Sequence, residues 1–218
     1  MRDQRGKAAD VTEYRELVAR ARALAESGRR RILGIAGAPG SGKGLVARRI
    51  RDALAPRAVV VPMDGFHLAN RELRRLGLQD RKGAPETFDA AGCVALLRRI
   101  RDAGGETVYA PEFHREVEES YAGSIPVGPE VDLVITEGNY LLLDTPPWSQ
   151  LRDLLDEVWF LAPDDEERVR RLIRRHVKYG KTPEQAREWV YRSDERNARL
   201  IAATRPRADL VIDGDPVG

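Results

Sequence analysis

The most constraining feature of this chain is the glycine-rich segment G-A-P-G-S-G-K-G at residues 37–44. It follows the short apolar run R-I-L-G-I-A and precedes residues 45–54, whose apolar side chains have helical spacing. Glycines allow a tight turn that points backbone N–H groups at phosphate oxygens, and the following helix adds the positive end of its dipole. The segment therefore predicts a phosphate-binding loop. A dinucleotide-binding turn is the weaker alternative, because its G-x-G-x-x-G spacing leaves no place for Lys43.

The last two residues of this loop lead to separate predictions. Lys43 would supply a mobile charge to the terminal phosphates of a nucleotide, and we expect it to be solvent-exposed and free of structural contacts without nucleotide. Gly44 stands where the loop pattern has Ser or Thr, whose hydroxyl binds Mg²⁺. We therefore expect ATP and Mg²⁺ as cofactors, with one magnesium ligand missing. The predicted nucleotide-binding residues of the loop are Gly37, Ala38, Pro39, Gly40, Ser41, Gly42, Lys43 and Gly44.

Short apolar runs alternate with amphipathic segments along the rest of the chain. Besides the run before the loop, they are A-V-V-V-P-M, V-D-L-V-I-T, E-V-W-F-L-A and A-D-L-V-I-D. Continuous apolar strands separated by helices are typical of a parallel sheet that is covered on both faces. The predicted fold is an α/β three-layer sandwich of the P-loop NTPase type, with a five-stranded parallel sheet, helices on both faces and a helical lid.

The length of 218 residues suits one domain, which we predict over residues 1–218. A disordered lead is expected over residues 1–10 and an N-terminal helix over residues 11–28. Residues 164–203 are expected to form a lid and the helix that follows it. The second of these helices begins at T-P-E-Q, where Thr182 is a typical N-cap and Pro183 suits the first turn.

The composition excludes several classes of protein. Lys and Arg total 37 against 35 Asp and Glu, a balance that does not indicate a nucleic-acid or membrane partner. The apolar stretches are far shorter than the ~20 residues of a membrane helix, and the N-terminus has no signal-peptide core. The lone cysteine, Cys93, excludes an intramolecular disulfide and suits a reducing compartment. We expect a cytoplasmic protein that binds neither nucleic acid nor a membrane.

Acidic side chains stand at the predicted C-terminal ends of two strands. Asp64 follows A-V-V-V-P-M and Glu137 follows V-D-L-V-I-T. Because such ends share one edge of a parallel sheet, both carboxylates should lie beside the phosphate loop. Asp64 would accept a substrate hydroxyl proton or hold Mg²⁺, and Glu137 would bind in the metal shell. The structural alternatives are an aspartate that caps the turn before Gly65 and a solvated glutamate at a strand end.

The predicted helix that begins near residue 164 is rich in arginine. Arg171, Arg174 and Arg175 could share a face with Lys178. A guanidinium on that face would clamp the phosphoryl group during transfer, so these three arginines are catalytic candidates. The alternative is an exposed helix whose arginines pair with the acidic residues at its start.

Four motifs in order resemble one superfamily of kinases. They are G-A-P-G-S-G-K, P-M-D-G-F-H, R-K-G-A-P-E-T-F-D and T-E-G-N-Y. The set is similar to the superfamily of uridine kinase, phosphoribulokinase and type I pantothenate kinase, and most similar to the bacterial nucleoside/nucleotide kinase-like branch that is often labelled fructose transport system kinase. The resemblance covers approximately residues 30–212.

The resemblance implies transfer of the ATP γ-phosphate to a primary hydroxyl of a small-molecule acceptor. It implies that Asp64 activates that hydroxyl, that Glu137 lies near magnesium, and that residues 171–176 belong to a lid. His114 stands where this branch more usually has Asp. A homodimer remains open. The substrate-binding residues expected on this basis are Phe66, His67, Lys82, Phe88, His114, Arg115 and Tyr140, and Arg205 is expected near adenine.

Two other functions remain in view. A non-catalytic nucleotide-binding protein would explain Gly44, but binding alone needs neither the two acids nor an arginine-rich lid. A nucleic-acid-dependent ATPase is weaker, because the sequence has no separate basic arm or tandem domain.

Overall fold

The computed structural model describes residues 9–10 and 14–214. In this part of the chain the strands are β1 (Ala9–Asp10), β2 (Arg31–Gly37), β3 (Ala58–Val60), β4 (Val108–His114), β5 (Glu119–Val127), β6 (Leu133–Gly138), β7 (Glu157–Ala162) and β8 (Leu210–Asp213). The α-helices of the same part are α1 (Tyr14–Ala25), α2 (Lys43–Leu54), α3 (Asn70–Leu76), α4 (Ala90–Asp102), α5 (Asp165–Lys178), α6 (Pro183–Trp189) and α7 (Glu195–Ala202).

The main sheet of the described chain is entirely parallel, in the order β1-β8-β7-β2-β6-β3. Strands β2, β3, β6, β7 and β8 are the five predicted ones, so the α/β class and the five-stranded parallel arrangement are confirmed. The prediction of a disordered lead is wrong at residues 9–10, because β1 pairs with the otherwise open edge of β8. The rest of that predicted lead, residues 1–8, lies outside the described residues.

Apolar layers cover both faces of the sheet. Side chains alternate along β2, so Leu33 and Ile35 pack with α1 and α2, while Ile32 and Ala36 pack on the side of α4. The described helices include none with the length and apolar composition needed to span a bilayer.

A hairpin stands apart from the main sheet. Strands β4 and β5 pair antiparallel, with an irregular register between Ala110 and Glu112. Sequence patterning indicated a short strand before His114 but no hairpin, because β5 is mostly exposed and has no continuous apolar run. The hairpin matters for function, since it carries residues 113 and 115 to the edge of the sheet.

Residues 164–203, the predicted lid and the helix after it, are mostly helical, as the sequence indicated. Asp164 accepts a hydrogen bond from the Glu167 N–H at 2.9 Å and so begins α5, while Thr182 forms a capping box that begins α6. The predicted helix after Thr182 continues to Ala202, with a π-helical stretch, Val190–Asp194, between α6 and α7. Such stretches are frequent at functional sites.

Candidate active site

A cavity of about 880 Å³ lies at the C-terminal ends of β2, β3 and β6. The phosphate loop, defined as residues 37–44, forms one side of it with Asp64 and Glu137, and the β4–β5 hairpin and α5 form the others. Parallel strands bring their carboxyl ends to one edge of the sheet, which is why residues distant in sequence meet here. Lysine is rare in this chain, and the four lysines among the described residues all line this cavity: Lys43, Lys82, Lys178 and Lys181.

The phosphate loop turns through two glycines in the left-handed region. Gly40 has a φ of 81° and Gly42 a φ of 91°, conformations that other residues disfavour. A Cβ at position 40 would also lie 2.7 Å from Leu172 Cγ and 2.8 Å from the Arg168 carbonyl oxygen, so the loop packs directly on α5. Helix α2 begins at Lys43 and directs the positive end of its dipole toward the cavity.

Lys43 corrects one expectation. Its side chain is buried, with 8% exposed, and its Nζ donates to the carbonyls of Gly37 and Ala38 and to Asn139 Oδ1 at 2.9–3.0 Å. The prediction of an exposed lysine without structural contacts is wrong, because a buried ammonium must be satisfied by protein acceptors when no phosphate is present. Burial lowers the pKa of Lys43 to about 8, and the carboxylates of Glu137 and Asp64 limit the decrease.

Asp64 and Glu137 lie near each other with opposite pKa shifts. Burial raises the pKa of Glu137, and the negative charge of Asp64 raises it further. For Asp64, burial acts in the same direction, but His67 and Arg115 outweigh it and hold the Asp64 pKa below its usual value. Arg115 Nη2 lies 2.6 Å from Asp64 Oδ2 in an ion pair.

The donor set fits a magnesium ion. Carboxylate oxygens are ligands that Mg²⁺ prefers, and this ion usually takes only one or two of them and keeps water and phosphate oxygens as its other ligands. Two carboxylates, Asp64 and Glu137, meet that need, and the described residues contain no group of three or more acidic, His or Cys side chains that could hold a metal ion alone. Position 44 faces the same place, since a Cβ there would lie 3.3 Å from Glu137 Oε1.

The three candidate arginines of α5 differ in their surroundings. Arg171 Nε and Arg174 Nη2 both donate to Glu167 Oε1, at 3.1 and 2.8 Å. Arg175 makes no ion pair with any described residue, although it lines the cavity. Burial lowers its pKa, and the neighbouring charge of Arg115 lowers it further. Arg175 is therefore the arginine best placed to gain from an incoming anion.

Aromatic rings form the cavity wall on the hairpin side. The His67 ring lies 4.0 Å from Phe88 and 4.5 Å from Phe113, centroid to centroid. His67 Nδ1 donates to the Asp64 carbonyl at 2.8 Å, and burial lowers its pKa, so the neutral ring presents Nε2 as an acceptor. Lys82 Nζ lies 5.2 Å from the Phe113 ring centre. Three of the residues predicted to bind substrate, His67, Lys82 and Phe88, therefore line the same cavity as the loop.

Two predicted substrate-binding residues lie in the core instead. Phe66 is buried among apolar side chains and does not line the cavity. Tyr140 is fully buried, and its hydroxyl donates to the Gly83 carbonyl at 2.5 Å. Neither ring lines the cavity, because each packs in the apolar core, although the Tyr140 hydroxyl binds the residue that follows Lys82.

Two further predicted residues point elsewhere. His114 stacks on Tyr121 at 4.5 Å, on the face of β4 opposite to Phe113, because adjacent strand residues point to opposite sides. Arg205 is exposed and pairs with Asp213 at 3.0 Å, outside the cavity. In the loop, Gly37, Ala38 and Ser41 lie beneath the cavity surface, while its other members line it.

Sequence reasoning missed two residues of the site. Asn139, which accepts a hydrogen bond from Lys43, belongs to the motif T-E-G-N-Y. Its polar side chain at the strand end was an available signal, but only the acid of that motif, Glu137, was singled out. Phe113 lies near the end of β4, two residues before Arg115, and an aromatic ring so close to a predicted site residue was the available signal.

The comparisons with known proteins agree with this geometry. Residues 32–217 match the Phosphoribulokinase / Uridine kinase family. The chain is 33% identical over 216 residues to “Putative uridine kinase C227.14” of Schizosaccharomyces pombe, covering 94% of this chain and 92% of that protein. A “putative fructose transport system kinase” from Silicibacter sp. TM1040 has a solved structure with TM-score 0.81 and 38% identity, covering 89% of this chain and 98% of its own. A pantothenate kinase of Mycolicibacterium vanbaalenii is 34% identical over 130 residues, 57% of this chain and 41% of that kinase.

Proposed function

This chain belongs to the phosphoribulokinase and uridine kinase family and is a phosphotransferase that acts on hydroxyl groups, and we propose that it transfers the γ-phosphoryl group of ATP to a nucleoside, a sugar or a pantothenate-like molecule. One observation carries the proposal: Lys43, Asp64 and Glu137 meet in one cavity at the ends of three neighbouring parallel strands.

ATP would bind with its phosphates in the loop. The backbone N–H groups at the start of α2 and the Lys43 ammonium would hold the β- and γ-phosphates. Lys43 would exchange its protein acceptors for phosphate oxygens, a favourable exchange because the buried ammonium gains a charged partner. Arg175 would approach the γ-phosphate from α5 and offset charge that develops during transfer.

The acceptor would enter along the wall of His67 and Phe88. Asp64 would take the proton of the acceptor hydroxyl as its oxygen forms a bond to the γ-phosphorus and the bond to ADP breaks. Asp64 and Glu137 would hold magnesium, which would supply charge neutralisation at the phosphates when bound. The ion pair between Arg115 and Asp64 must loosen before Asp64 can take a proton.

A non-catalytic nucleotide-binding protein is the second candidate. Gly44 favours it, because the loop lacks the hydroxyl that normally binds magnesium. A screen of ATP consumption over nucleosides, sugars and pantothenate, with a no-acceptor control, separates the two functions. The kinase predicts consumption that depends on one acceptor class and is lost in Asp64→Asn. ATP binding without consumption for every acceptor would favour the non-catalytic protein.

A further inference from the structure

Arg115 has unused binding capacity where the acceptor would lie. A guanidinium has five N–H donors. Arg115 bonds to Asp64 through Nη2, and its other N–H groups have no hydrogen-bond partner among the described residues. The guanidinium lies 5.7 Å from the Phe113 ring centre, on the hairpin side of the cavity. About a third of the side chain remains exposed to the cavity. The group is thus positioned to receive a second acidic partner.

The net positive charge of the side chains that line the cavity also exceeds the negative charge of ATP with bound magnesium. Nine Lys and Arg side chains line it, against four carboxylates, and Glu167 beside the cavity pairs with two of the nine, Arg171 and Arg174. A complex of magnesium with ATP carries a net charge of about −2, so it matches only part of this excess. On the hairpin side, Lys82 has Glu118 as its carboxylate partner at 3.4 Å, and that carboxylate is half-exposed and therefore screened by water. An uncharged acceptor would leave this positive potential unmatched.

We infer that the acceptor carries an anionic group, a carboxylate or a phosphate, in addition to its reactive hydroxyl, and that Arg115 binds this group. The inference rests on the proposed function and narrows its substrate class. Arg115 would donate two parallel hydrogen bonds to the anion, an arrangement typical of arginine with carboxylates and phosphates. By competing for Arg115, the same anion would draw the guanidinium from Asp64 and leave that carboxylate facing the hydroxyl. Arg115 would then select acceptors by charge.

The test uses acceptors that differ in one charged group. Glycerate and glycerol phosphate are each compared with glycerol, and pantothenate is compared with pantothenol. The measurement is kcat/KM for wild type, Arg115→Gln, Arg115→Lys and the control Arg98→Gln, whose arginine is exposed on α4 away from the cavity. Wild type should prefer the anionic member of at least one pair by about tenfold or more, equivalent to about 1.4 kcal/mol. Arg115→Gln should remove that preference, Arg115→Lys should retain part of it, and Arg98→Gln should leave it unchanged.

The ratio of kcat/KM for the anionic acceptor to kcat/KM for its neutral partner shows which anion Arg115 binds, the acceptor's charged group or the γ-phosphate of ATP. If Arg115 served only the γ-phosphate of ATP, Arg115→Gln would lower kcat/KM equally for both members of a pair, and the inference would fail. Efficient turnover of neutral acceptors by wild type, with no preference for anionic ones, would also overturn it while leaving the proposed function intact. No turnover of any acceptor, neutral nucleosides and sugars included, would remove the proposed function and the inference with it.

Discussion

At the scale of single residues, Lys43 is held by three protein acceptors that a nucleotide must replace. We predict that Lys43→Ala weakens ATP binding by at least about tenfold, since each 1.4 kcal/mol of lost interaction is tenfold in affinity. Calorimetric titration with ATP measures the change. Arg51→Ala is the control, because Arg51 lies partly exposed on the same helix, outside the cavity lining, and pairs with Asp52. Equal affinity in Lys43→Ala and wild type would mean that the loop does not bind phosphates.

Asp64 is assigned the transfer of the hydroxyl proton. Asp64→Asn keeps the shape of the side chain but cannot accept a proton, so kcat should fall by about 10²–10⁴-fold, the usual span for a general base. ATP affinity should change little. Steady-state kinetics with a working acceptor measures both, with the exposed Asp52→Asn as control. A wild-type kcat in Asp64→Asn would leave Asp64 as a turn residue only.

Gly44 faces the carboxylate that would hold magnesium. A Cβ at this position lies 3.3 Å from Glu137 Oε1 and 3.2 Å from Arg48 Nη1, the movable end of a long side chain. We predict that Gly44→Ser lowers the Mg²⁺ concentration for half-maximal activity, because its hydroxyl supplies an oxygen ligand. Activity is titrated against Mg²⁺. Gly44→Ala is the matched control, since it adds the Cβ without the hydroxyl. Identical magnesium curves for the serine and alanine variants would show that position 44 does not reach the metal.

At the scale of the secondary-structure elements, the three candidate arginines of α5 make different contacts. Glu167 engages Arg171 and Arg174, whereas the half-buried Arg175 lines the cavity near Arg115. We predict that Arg175→Lys lowers kcat more than it weakens ATP binding, because lysine cannot fork onto two phosphate oxygens. Arg174→Lys, at a largely exposed position, is the control. A larger loss of kcat in Arg174→Lys than in Arg175→Lys would mean that Arg174, and not Arg175, contacts the transferred phosphoryl group.

The elements were predictable to different degrees. The five buried strands of the main sheet have continuous apolar runs, and the capping residues Asp164 and Thr182 mark two helix starts. The β4–β5 hairpin has no such signal, since its strands are half-exposed and do not contribute a continuous apolar run. The π-helical stretch before α7 was equally hidden, because the residue pattern of Val190–Asp194 does not distinguish it from the α-helix on either side.

At the scale of the whole molecule, β2 is shared by both apolar layers and supports the phosphate loop. Ile35 is fully buried in this strand. We predict that Ile35→Ala lowers the free energy of unfolding by about 2–5 kcal/mol, because it leaves a cavity in the packed layer. Chemical denaturation measures the change, with Leu200→Ala as the control at a position that is 43% exposed. A change under about 0.5 kcal/mol, typical of surface positions, would contradict this placement of β2.

The sequence by itself determined the phosphate loop, the parallel sheet and the acids at the strand ends. Those features follow from local rules, because glycine spacing, apolar runs and strand-end position act within short segments. Only the tertiary structure decided how the site is completed. The burial of Lys43 against Asn139 and the ion pair between Arg115 and Asp64 each join segments far apart in the chain. Contacts of this kind depend on packing across the sheet edge, and a residue pattern cannot show which side chains will meet there.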